Sequence, residues 1–393
     1  MQGVQPVAAT FRGPIPWPHA CTLPARKNNR GERLMAKQIG YAVVGAGPLV
    51  ERALLPAFAR AGGETRLAAI VSADRGRAHT LAQEHHATGY HYDEFRQALQ
   101  REDVQAVYVA LPNSLHCDYA VEAARAGAHV VCERPMAVMA DECRRMLRTS
   151  QTNRVKLMVA YHVQAHPAYK KVLELVRSGA IGAPKTFSSD ATIRVHDPDD
   201  VRLQRRLGGG TMYDLGVPAI FVARTILDAE PAQVMAMTAR MTRRYGGDVD
   251  ESTVALIRFP DDRLAHLHTS FGEEPTSVLT VFGDDGSIRV TGMYEPQRSS
   301  TIEVVRGGKR EEMTFEPIDA VAAELEHFSN SVVHDVAPEP SGIEGLTDVR
   351  IVEAIYRSAR DGRPVTLPRI ARVDAPPAEH DLRKPVADRR QAG

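Results

Sequence analysis

Short apolar runs alternate with helix-like segments over the part of the chain that follows residue 38. The predicted strands are residues 40–44, 67–71, 106–109, 130–132 and 156–160. The predicted helices between them are residues 54–61, 75–84, 92–100, 118–126 and 141–150. Strands that alternate with helices are typical of a parallel sheet covered by helices on both faces. The pattern therefore predicts an α/β domain with a doubly wound parallel sheet over residues 37–160.

After residue 185 the pattern changes to short runs rich in Val, Ile, Thr and Phe. The predicted strands here are residues 186–195, 233–239, 253–259, 264–271, 277–282, 287–290 and 301–305. Turn clusters at 259–262 and 283–286 separate them, which is typical of an antiparallel sheet. The predicted helices around this sheet are residues 167–178, 216–227, 320–334 and 348–359. We therefore expect residues 161–368 to form an α+β domain with a mostly antiparallel sheet.

The two ends of the chain lack both patterns. Residues 1–36 contain several prolines and no continuous apolar core, so they are predicted to be a disordered extension rather than a secretory signal. Met35 lies just before the first predicted strand, and the sequence leaves open whether translation starts at Met1 or at Met35. Residues 369–393 are polar and contain proline, which predicts a flexible tail.

Composition narrows the class of protein. The chain has 49 basic and 49 acidic side chains, so no global field would recruit nucleic acid or an anionic membrane. No segment approaches the roughly 20 apolar residues of a membrane-spanning helix. The four cysteines have no metal-binding spacing, so no metal site is expected and a reducing cytoplasm fits best.

A glycine turn follows the first predicted strand. Residues 41–50 read YAVVGAGPLV, which places Gly45 and Gly47 between an apolar strand and a helix. In that context the first glycine permits a tight turn and the second lets the backbone approach a pyrophosphate, which the helix N-terminus stabilises. Gly45, Gly47, Pro48 and Leu49 are therefore predicted to bind a dinucleotide, as in a Rossmann fold.

The tip of the second predicted strand bears on which dinucleotide binds. A hydroxyl and a cation suit the 2′-phosphate of NADP, whereas an acidic residue would bind the ribose diol of NAD. Ser72 with Arg75 or Arg77 favours NADP, and Asp74 keeps NAD open. The structural alternative is that Ser72 or Asp74 caps the next helix and that the arginines are solvated.

Several ordered motifs resemble the glucose–fructose oxidoreductase/inositol dehydrogenase (Gfo/Idh/MocA) family, and in particular its glucose–fructose oxidoreductase-like branch. The matching stretches are residues 55–58, 107–116, 131–137, 158–162, 179–184, 202–216 and 348–358. The resemblance implies a Rossmann domain followed by a domain with an open-faced antiparallel sheet. It also implies an NAD(P)-dependent oxidoreductase that acts on CH–OH groups and pairs through the open face as a homodimer or homotetramer.

The resemblance also implies roles for individual residues. The nicotinamide side of the cofactor would be lined by Leu111, Pro112, Asn113 and His116. The family's Glu-Lys-Pro motif aligns with Glu133, Arg134 and Pro135, and its lysine positions or protonates the substrate oxygen. The family's Asp-x-Gly-x-His/Tyr motif aligns with residues 214–218, and its last residue is the usual acid or base.

Two positions depart from this pattern. Arg134 stands in place of the lysine, and a guanidinium with a pKa above about 12 cannot exchange a proton near neutrality. Pro218 stands in place of histidine or tyrosine and carries no side-chain proton. Hydride transfer still needs a group that stabilises charge on the reacting oxygen and a group that carries the proton.

The catalytic candidates are therefore Arg134, His162, Asp214 and Tyr161. Arg134 can bind the reacting oxygen, and His162 can relay the proton because histidine titrates near neutrality. Tyr161, Asp214 and His116 are weaker candidates for the same proton. The structural alternatives are that His162 is a hydrogen-bonded residue of the fold and that Asp214 caps a helix.

Three hypotheses of function follow. The first is an NADP-dependent oxidoreductase that transfers a hydride between nicotinamide and a sugar, polyol or related hydroxy/keto compound. The second is a catalytically impaired dinucleotide-binding sensor or scaffold of the same fold, because both expected acid/base groups are replaced. The third is a closed-cycle enzyme that never releases NADP. The expected partner is a carbohydrate-like small molecule, with neither nucleic acid nor membrane.

Overall fold

The computed structural model describes residues 38–242, 248–295 and 298–368. Within these ranges the strands form one six-stranded sheet and one nine-stranded sheet. The predicted fold class is confirmed, because a parallel sheet of Rossmann type precedes a mostly antiparallel sheet. The extension and the tail that the sequence predicts lie outside the described residues.

The first sheet has the strand order β3-β2-β1-β4-β5-β6, and all of its strands are parallel. Its strands are β1 (Ile39–Val44), β2 (Thr65–Ser72), β3 (Thr88–His91), β4 (Ala106–Val109), β5 (His129–Glu133) and β6 (Leu157–Ala160). The edge strand β3 was not predicted. All four of its residues are only half-buried, so it lacks the continuous apolar run of the central strands.

Helices cover both faces of this sheet. The helices of the first part are α1 (Leu55–Arg60), α2 (Arg75–Glu84), α3 (Phe95–Leu99), α4 (His116–Arg125) and α5 (Ala140–Thr152). The later helices are α6 (Pro167–Arg177), α7 (Val217–Leu227), α8 (Ala320–Val333) and α9 (Gly342–Asp361). Helix α8 returns to the parallel sheet, where Leu325 and Phe328 pack in one core with Tyr41 and Val131. No helix among the described residues is long and apolar enough to cross a membrane.

The second sheet has the strand order β14-β13-β12-β11-β7-β10-β9-β8-β15. Its strands are β7 (Pro184–Arg194), β8 (Gln233–Ala239), β9 (Ser252–Arg258), β10 (Leu264–Ser270), β11 (Gly272–Gly283), β12 (Gly286–Thr291), β13 (Ser300–Arg306), β14 (Lys309–Phe315) and β15 (Val365–Thr366). Neighbouring strands are antiparallel except β7 and β10, which run parallel. Along β9 buried and exposed residues alternate, so one face of this sheet packs on the core and the other is open.

Candidate active site

The loops that follow the parallel strands meet at one edge of the first sheet. Gly45 follows β1, Ser72 ends β2, Leu111 follows β4 and Glu133 ends β5. The carboxyl ends of parallel strands are where a doubly wound sheet binds its ligand, in the crevice beside the point where the strand order reverses. In this sheet that point lies between β1 and β4, so these loops form the candidate cofactor cleft.

The glycine turn has the geometry that a dinucleotide needs. Gly45 has a φ of +118°, and a Cβ atom there would lie 2.2 Å from the carbonyl oxygen of Ala110. A Cβ atom on Gly47 would meet no other atom within 4 Å, so the backbone at this position borders open space. The first glycine therefore serves the turn itself, and the second leaves room for a phosphate group to approach the main chain. The residues present fit a dinucleotide.

The tip of β2 combines a hydroxyl, a helix cap and two cations. The Asp74 carboxylate caps α2 by accepting the N–H of Arg77 at 3.0 Å, and the Ser72 hydroxyl accepts the N–H of Asp74 at 3.2 Å. Arg75 donates to Glu94 at 2.6 Å, and Arg77 forms an ion pair with Glu51. Asp74 thus makes the capping contact that was the structural alternative.

The loop after β4 connects the cleft to the second part of the chain. The Asn113 side chain donates to the carbonyl oxygen of Gly208 at 2.9 Å. His116 is fully buried, with one ring nitrogen 2.8 Å from the carbonyl oxygen of Pro135 and the other 2.8 Å from that of Leu111. Burial lowers the pKa of His116, and the carbonyl contacts only partly oppose this effect. His116 therefore connects the loops after β4 and β5 through contacts to one carbonyl oxygen of each.

Arg134 meets Asp214 at the mouth of the cleft. Its Nη1 donates to the carbonyl oxygen of Asp214 at 2.6 Å and to the carboxylate at 3.0 Å. Arg202 approaches the other carboxylate oxygen of Asp214 at 3.8 Å and makes a two-point contact with Asp200. The Arg134 and Asp214 side chains are 28% and 22% exposed, so both can meet a ligand. Burial alone would lower the pKa of Arg134, but the neighbouring carboxylates raise it.

Two other predicted residues have different surroundings. Pro218 lies in the first turn of α7, and its ring offers no proton. The Tyr161 hydroxyl donates to the buried Asp348, and the Tyr161 ring stacks on Phe221 with the ring centroids 4.5 Å apart. Arg224 pairs with the same Asp348 at 2.6 Å. Tyr161 is therefore built into a buried ion-pair network between β6, α7 and α9.

His162 lies between two buried carboxylates. Its Nε2 is 3.4 Å from Glu133 Oε1, and its Nδ1 is 3.3 Å from Glu324 Oε2. Neither ring nitrogen has a hydrogen bond of good geometry within the described residues, so charge holds the ring. The Tyr108 hydroxyl lies 2.9 Å from Glu133 and 3.2 Å from Glu324. These four side chains form a closed cluster directly behind Arg134, which we call the Glu133 cluster.

The pKa values of the cluster follow from burial and charge. Burial would lower the pKa of His162, but the two carboxylates outweigh it and raise the value to about 10. Burial raises the pKa of the Glu324 carboxyl, and the nearby imidazolium of His162 only partly offsets this effect. For Glu133 burial is outweighed by His162 and Arg134, and its pKa is lowered. His162 is therefore an imidazolium at neutral pH, with Glu133 as its ionised partner.

Comparison with known proteins agrees with this geometry. Residues 39–161 match the GFO/IDH/MocA oxidoreductase family with its NAD-binding Rossmann fold, and residues 169–289 match the GFO/IDH/MocA C-terminal domain. The chain belongs to the GFO/IDH/MocA oxidoreductase family. The resemblance that the sequence motifs indicated is thereby confirmed.

The proteins that this chain is similar to include three oxidoreductases. D-xylose 1-dehydrogenase (NADP(+)) 2 of Haloferax volcanii is 30% identical over 83% of this chain and 99% of its own length. The crystal structure of aldose-aldose oxidoreductase from Caulobacter crescentus has a TM-score of 0.80 and 31% identity, and covers 84% of this chain and 100% of its own. A 3-ketoreductase from Actinomadura kijaniata, solved with NADP and TDP-benzene, has a TM-score of 0.75 and 25% identity, and covers 82% of this chain and 98% of its own.

Within this family member, the structure joins Arg134 to Asp214, whereas the Tyr161 hydroxyl donates to Asp348. The sequence pointed to neither Glu324 nor Tyr108 as a site residue. The helical spacing holds one signal for Glu324, because it lies four residues from both Ala320 and Phe328 on the buried stripe of α8. A charged residue at such a position needs a buried partner.

Proposed function

We propose that this protein is an NADP-linked oxidoreductase that transfers a hydride between nicotinamide and a sugar, polyol or related hydroxy/keto compound. The observation that carries the proposal is the Arg134–Asp214 pair at the mouth of a cleft that begins with an open Gly47. The xylose dehydrogenase, the aldose-aldose oxidoreductase and the 3-ketoreductase support this substrate class, and two of the three are named with NADP.

NADP would be held by residues from four loops. Gly45, Gly47, Pro48 and Leu49 would face the pyrophosphate, and Ser72, Arg75 and Arg77 the 2′-phosphate. Leu111, Pro112, Asn113, Glu133 and Arg134 would border the nicotinamide, and the fully buried His116 would hold the loops after β4 and β5 together. When bound, the cofactor supplies the hydride donor or acceptor. Arg75 and Arg77 contact carboxylates in this structure, so phosphate binding would exchange Glu94 and Glu51 for the ligand.

Arg134 and Asp214 would have different roles at the reacting oxygen. The guanidinium of Arg134 would hold that oxygen and stabilise its developing charge, and it would keep its own proton. Asp214, which touches Arg134, is the carboxylate placed to accept a proton from a substrate hydroxyl. Proton relay by His162 or Tyr161 stays a prediction, because their contacts here are with buried carboxylates.

We also propose that two copies of the chain pair through the open face of the second sheet, as a homodimer or as part of a homotetramer. Met235 and Met237 on β8 pair across the ladder with Leu256 and Val254 on β9. These four side chains are 40–73% exposed and form one apolar patch, which we call the β8–β9 patch. A patch of this kind favours burial against another protein surface.

Cys117, Cys132 and Cys143 are free and buried, which supports a reducing compartment such as the cytoplasm.

A cofactor and substrate screen tests the proposed function. Purified protein is titrated with NADPH and NADH, and aldoses, polyols and keto sugars are then screened by nicotinamide absorbance at neutral pH. NADP-dependent turnover of at least one of these compounds is expected. Tight NADPH binding without turnover would favour the sensor hypothesis instead. Stoichiometric NADP in the purified protein, with turnover only when an oxidisable and a reducible sugar are both present, would favour the closed cycle.

A further inference from the structure

The Glu133 cluster unites side chains that lie far apart in the sequence. Tyr108 comes from β4, Glu133 from β5, His162 from the turn after β6 and Glu324 from α8. Helix α8 otherwise presents an apolar stripe to the parallel sheet, in which Ala322, Leu325 and Phe328 are buried. Glu324 is thus the acidic group that this stripe delivers to the strand ends beside the cofactor cleft.

We propose that Glu324 is a positioning residue for hydride transfer: through His162 it fixes the Glu133 carboxylate at the end of β5, directly before Arg134. The inference rests on the proposed function, because it assigns the lip formed by Glu133 and Arg134 to the nicotinamide side of the cleft. Neither Glu324 nor His162 needs to touch substrate in this role.

The contacts of Glu133 show how the effect reaches the lip. Its Oε1 atom accepts the Tyr108 hydroxyl at 2.9 Å and lies 3.4 Å from His162. Its Oε2 atom accepts the backbone N–H of Arg134 at 3.2 Å. Both oxygens are therefore engaged, one by the cluster and one by the main chain that carries the guanidinium. A carboxylate that rotated away from this position would release the Arg134 backbone.

The electrostatics argue for a role beyond stability. Two buried carboxylates and an imidazolium cost more to desolvate than apolar side chains of similar size, so such a cluster is a poor means of stabilising a core. A proton on His162 supplies the positive charge that faces both carboxylates, at 3.4 Å from Glu133 and 3.3 Å from Glu324. Because Glu133 also accepts the backbone N–H of Arg134, Glu324 is the second carboxylate that holds the His162 cation in place.

Several neighbouring elements place titratable groups near His162. Glu133, Glu324 and Tyr108 touch the ring or its partners, and Tyr41 on β1 lies near Glu324. Helix α6 contributes Lys170, whose charge acts on His166. The pH dependence of the cluster should therefore combine the proton on His162 with the raised pKa of Glu324.

The test compares Glu324→Gln with Glu326→Gln. Glu326 lies on the same helix and accepts the N–H of Gly62 at 2.7 Å, outside the cluster, so it is the matched control. The variants His162→Gln and His162→Arg separate charge from shape, because arginine is a permanent cation that can pair with two carboxylates. Three measurements are made on each: kcat and KM across pH, the Kd of NADPH, and the emission of bound NADPH, which reports the surroundings of the nicotinamide.

Glu324→Gln and His162→Gln are expected to lower kcat roughly ten- to a hundredfold, the effect of a small misplacement of a reacting group. The KM for the sugar should change much less, and the emission of bound NADPH should shift. His162→Arg should recover most of the loss and remove the alkaline limb of the kcat profile. Glu326→Gln should match wild type in all three measurements.

Two outcomes overturn the inference. One is an unchanged kcat profile and unchanged NADPH emission in Glu324→Gln. The other is an equal loss in Glu326→Gln, which would indicate a general effect on α8. If wild type turns over no sugar but Glu324→Gln alone shifts the emission of bound NADPH, the proposed reaction fails, and only the coupling of Glu324 to the nicotinamide side of the cleft stands. Protein that binds no NADPH would overturn both.

Discussion

The guanidinium of Arg134 donates from one nitrogen to both the carbonyl oxygen and the carboxylate of Asp214. The two residues come from distant segments of the chain, since Arg134 follows β5 and Asp214 lies in the helical turn before α7. A cation that cannot lose its proton is thus paired with a carboxylate that can gain one. This division of roles differs from that of the family's lysine, which can both bind and exchange a proton.

Removing the guanidinium should mainly affect turnover. Arg134→Ala is expected to lower kcat by roughly 10²–10³-fold, the usual cost of losing a group that stabilises charge on a reacting oxygen. Arg134→Lys keeps the cation and should recover part of that loss. Steady-state rates followed at the nicotinamide absorbance measure both effects. The exposed Arg125 on α4 provides the control, and Arg125→Ala should behave as wild type. Full turnover in Arg134→Ala would contradict the role given to this residue.

The contacts at the tip of β2 predict how the cofactor is selected. Arg77→Ala should weaken NADPH binding about tenfold or more, since a hydrogen bond between charged groups contributes about 1.5–3 kcal/mol. Glu51→Gln should strengthen NADPH binding, because it frees Arg77 from its present ion pair. Binding of NADH, which has no 2′-phosphate, should change little in either variant. Titrations of cofactor fluorescence measure both affinities. Equal losses of NADPH and NADH affinity in Arg77→Ala would contradict the proposed role of Arg77 in binding the 2′-phosphate.

The parallel sheet was predictable because its central strands are buried on both faces and read as unbroken apolar runs. The edge strand β3 was not, since Thr88–His91 is half-buried and carries no such run. The start of α9 was also misplaced: the helix begins at Gly342, six residues before the predicted start at 348, where Ser341 caps it by accepting the N–H of Ile343. Local capping chemistry outweighed the apolar spacing on which the prediction rested.

The candidate site was predictable only in part. Motifs along the chain indicated Gly45, Arg134 and Asp214 because each lies in a short, ordered pattern. The surroundings of His162 depend on Glu324, and only the return of α8 to the parallel sheet makes the two residues neighbours. Nothing local in the sequence near His162 shows that its ring is enclosed by two carboxylates. That information is held in tertiary packing between segments far apart in the chain.

A charged substitution in the β8–β9 patch should separate the subunits. Leu256, 56% exposed, lies opposite Met235 on the open face, and Leu256→Lys would place a charge in the proposed interface. We expect the oligomer of the wild type to become a monomer by light scattering coupled to size-exclusion chromatography. Val336 is 51% exposed beyond the end of α8 and provides the matched control, as Val336→Lys should leave the mass unchanged. A wild-type monomer would contradict the proposed pairing.

The buried ion pair of Arg224 should be important for stability. Its guanidinium contacts Asp348 at 2.6 Å, and Asp348 is fully buried. Arg224→Ala would leave that carboxylate without its cation and should lower the free energy of unfolding by about 3–5 kcal/mol. Chemical denaturation measures the loss. Arg258 pairs with Asp262 at an exposed site, and Arg258→Ala should have little effect. Similar small losses in both variants would show that the network around Asp348 does not stabilise the fold.

The Glu133 cluster should make stability fall as the pH rises. The pKa of His162 is raised from 6.5 to about 10, so the folded protein holds a proton that the unfolded chain has already released in this range. Its contribution is complete below pH 6.5 and is lost as the pH rises to about 10. The raised pKa of Glu324 acts in the same direction, and the lowered pKa of Glu133 adds no slope there, because its carboxylate is ionised in both states.

The variant His162→Arg isolates this slope, because arginine keeps its charge throughout the range. Denaturation of wild type and His162→Arg between pH 6.5 and 10 should give a difference in unfolding free energy that shifts in favour of the variant as the pH rises. One proton limits the slope of that difference to about 1.4 kcal/mol per pH unit. A difference that stays constant would mean that His162 is neutral in the folded protein. Glu133 and Glu324 would then face each other without a cation, and the proposed path from Glu324 to Arg134 would be lost.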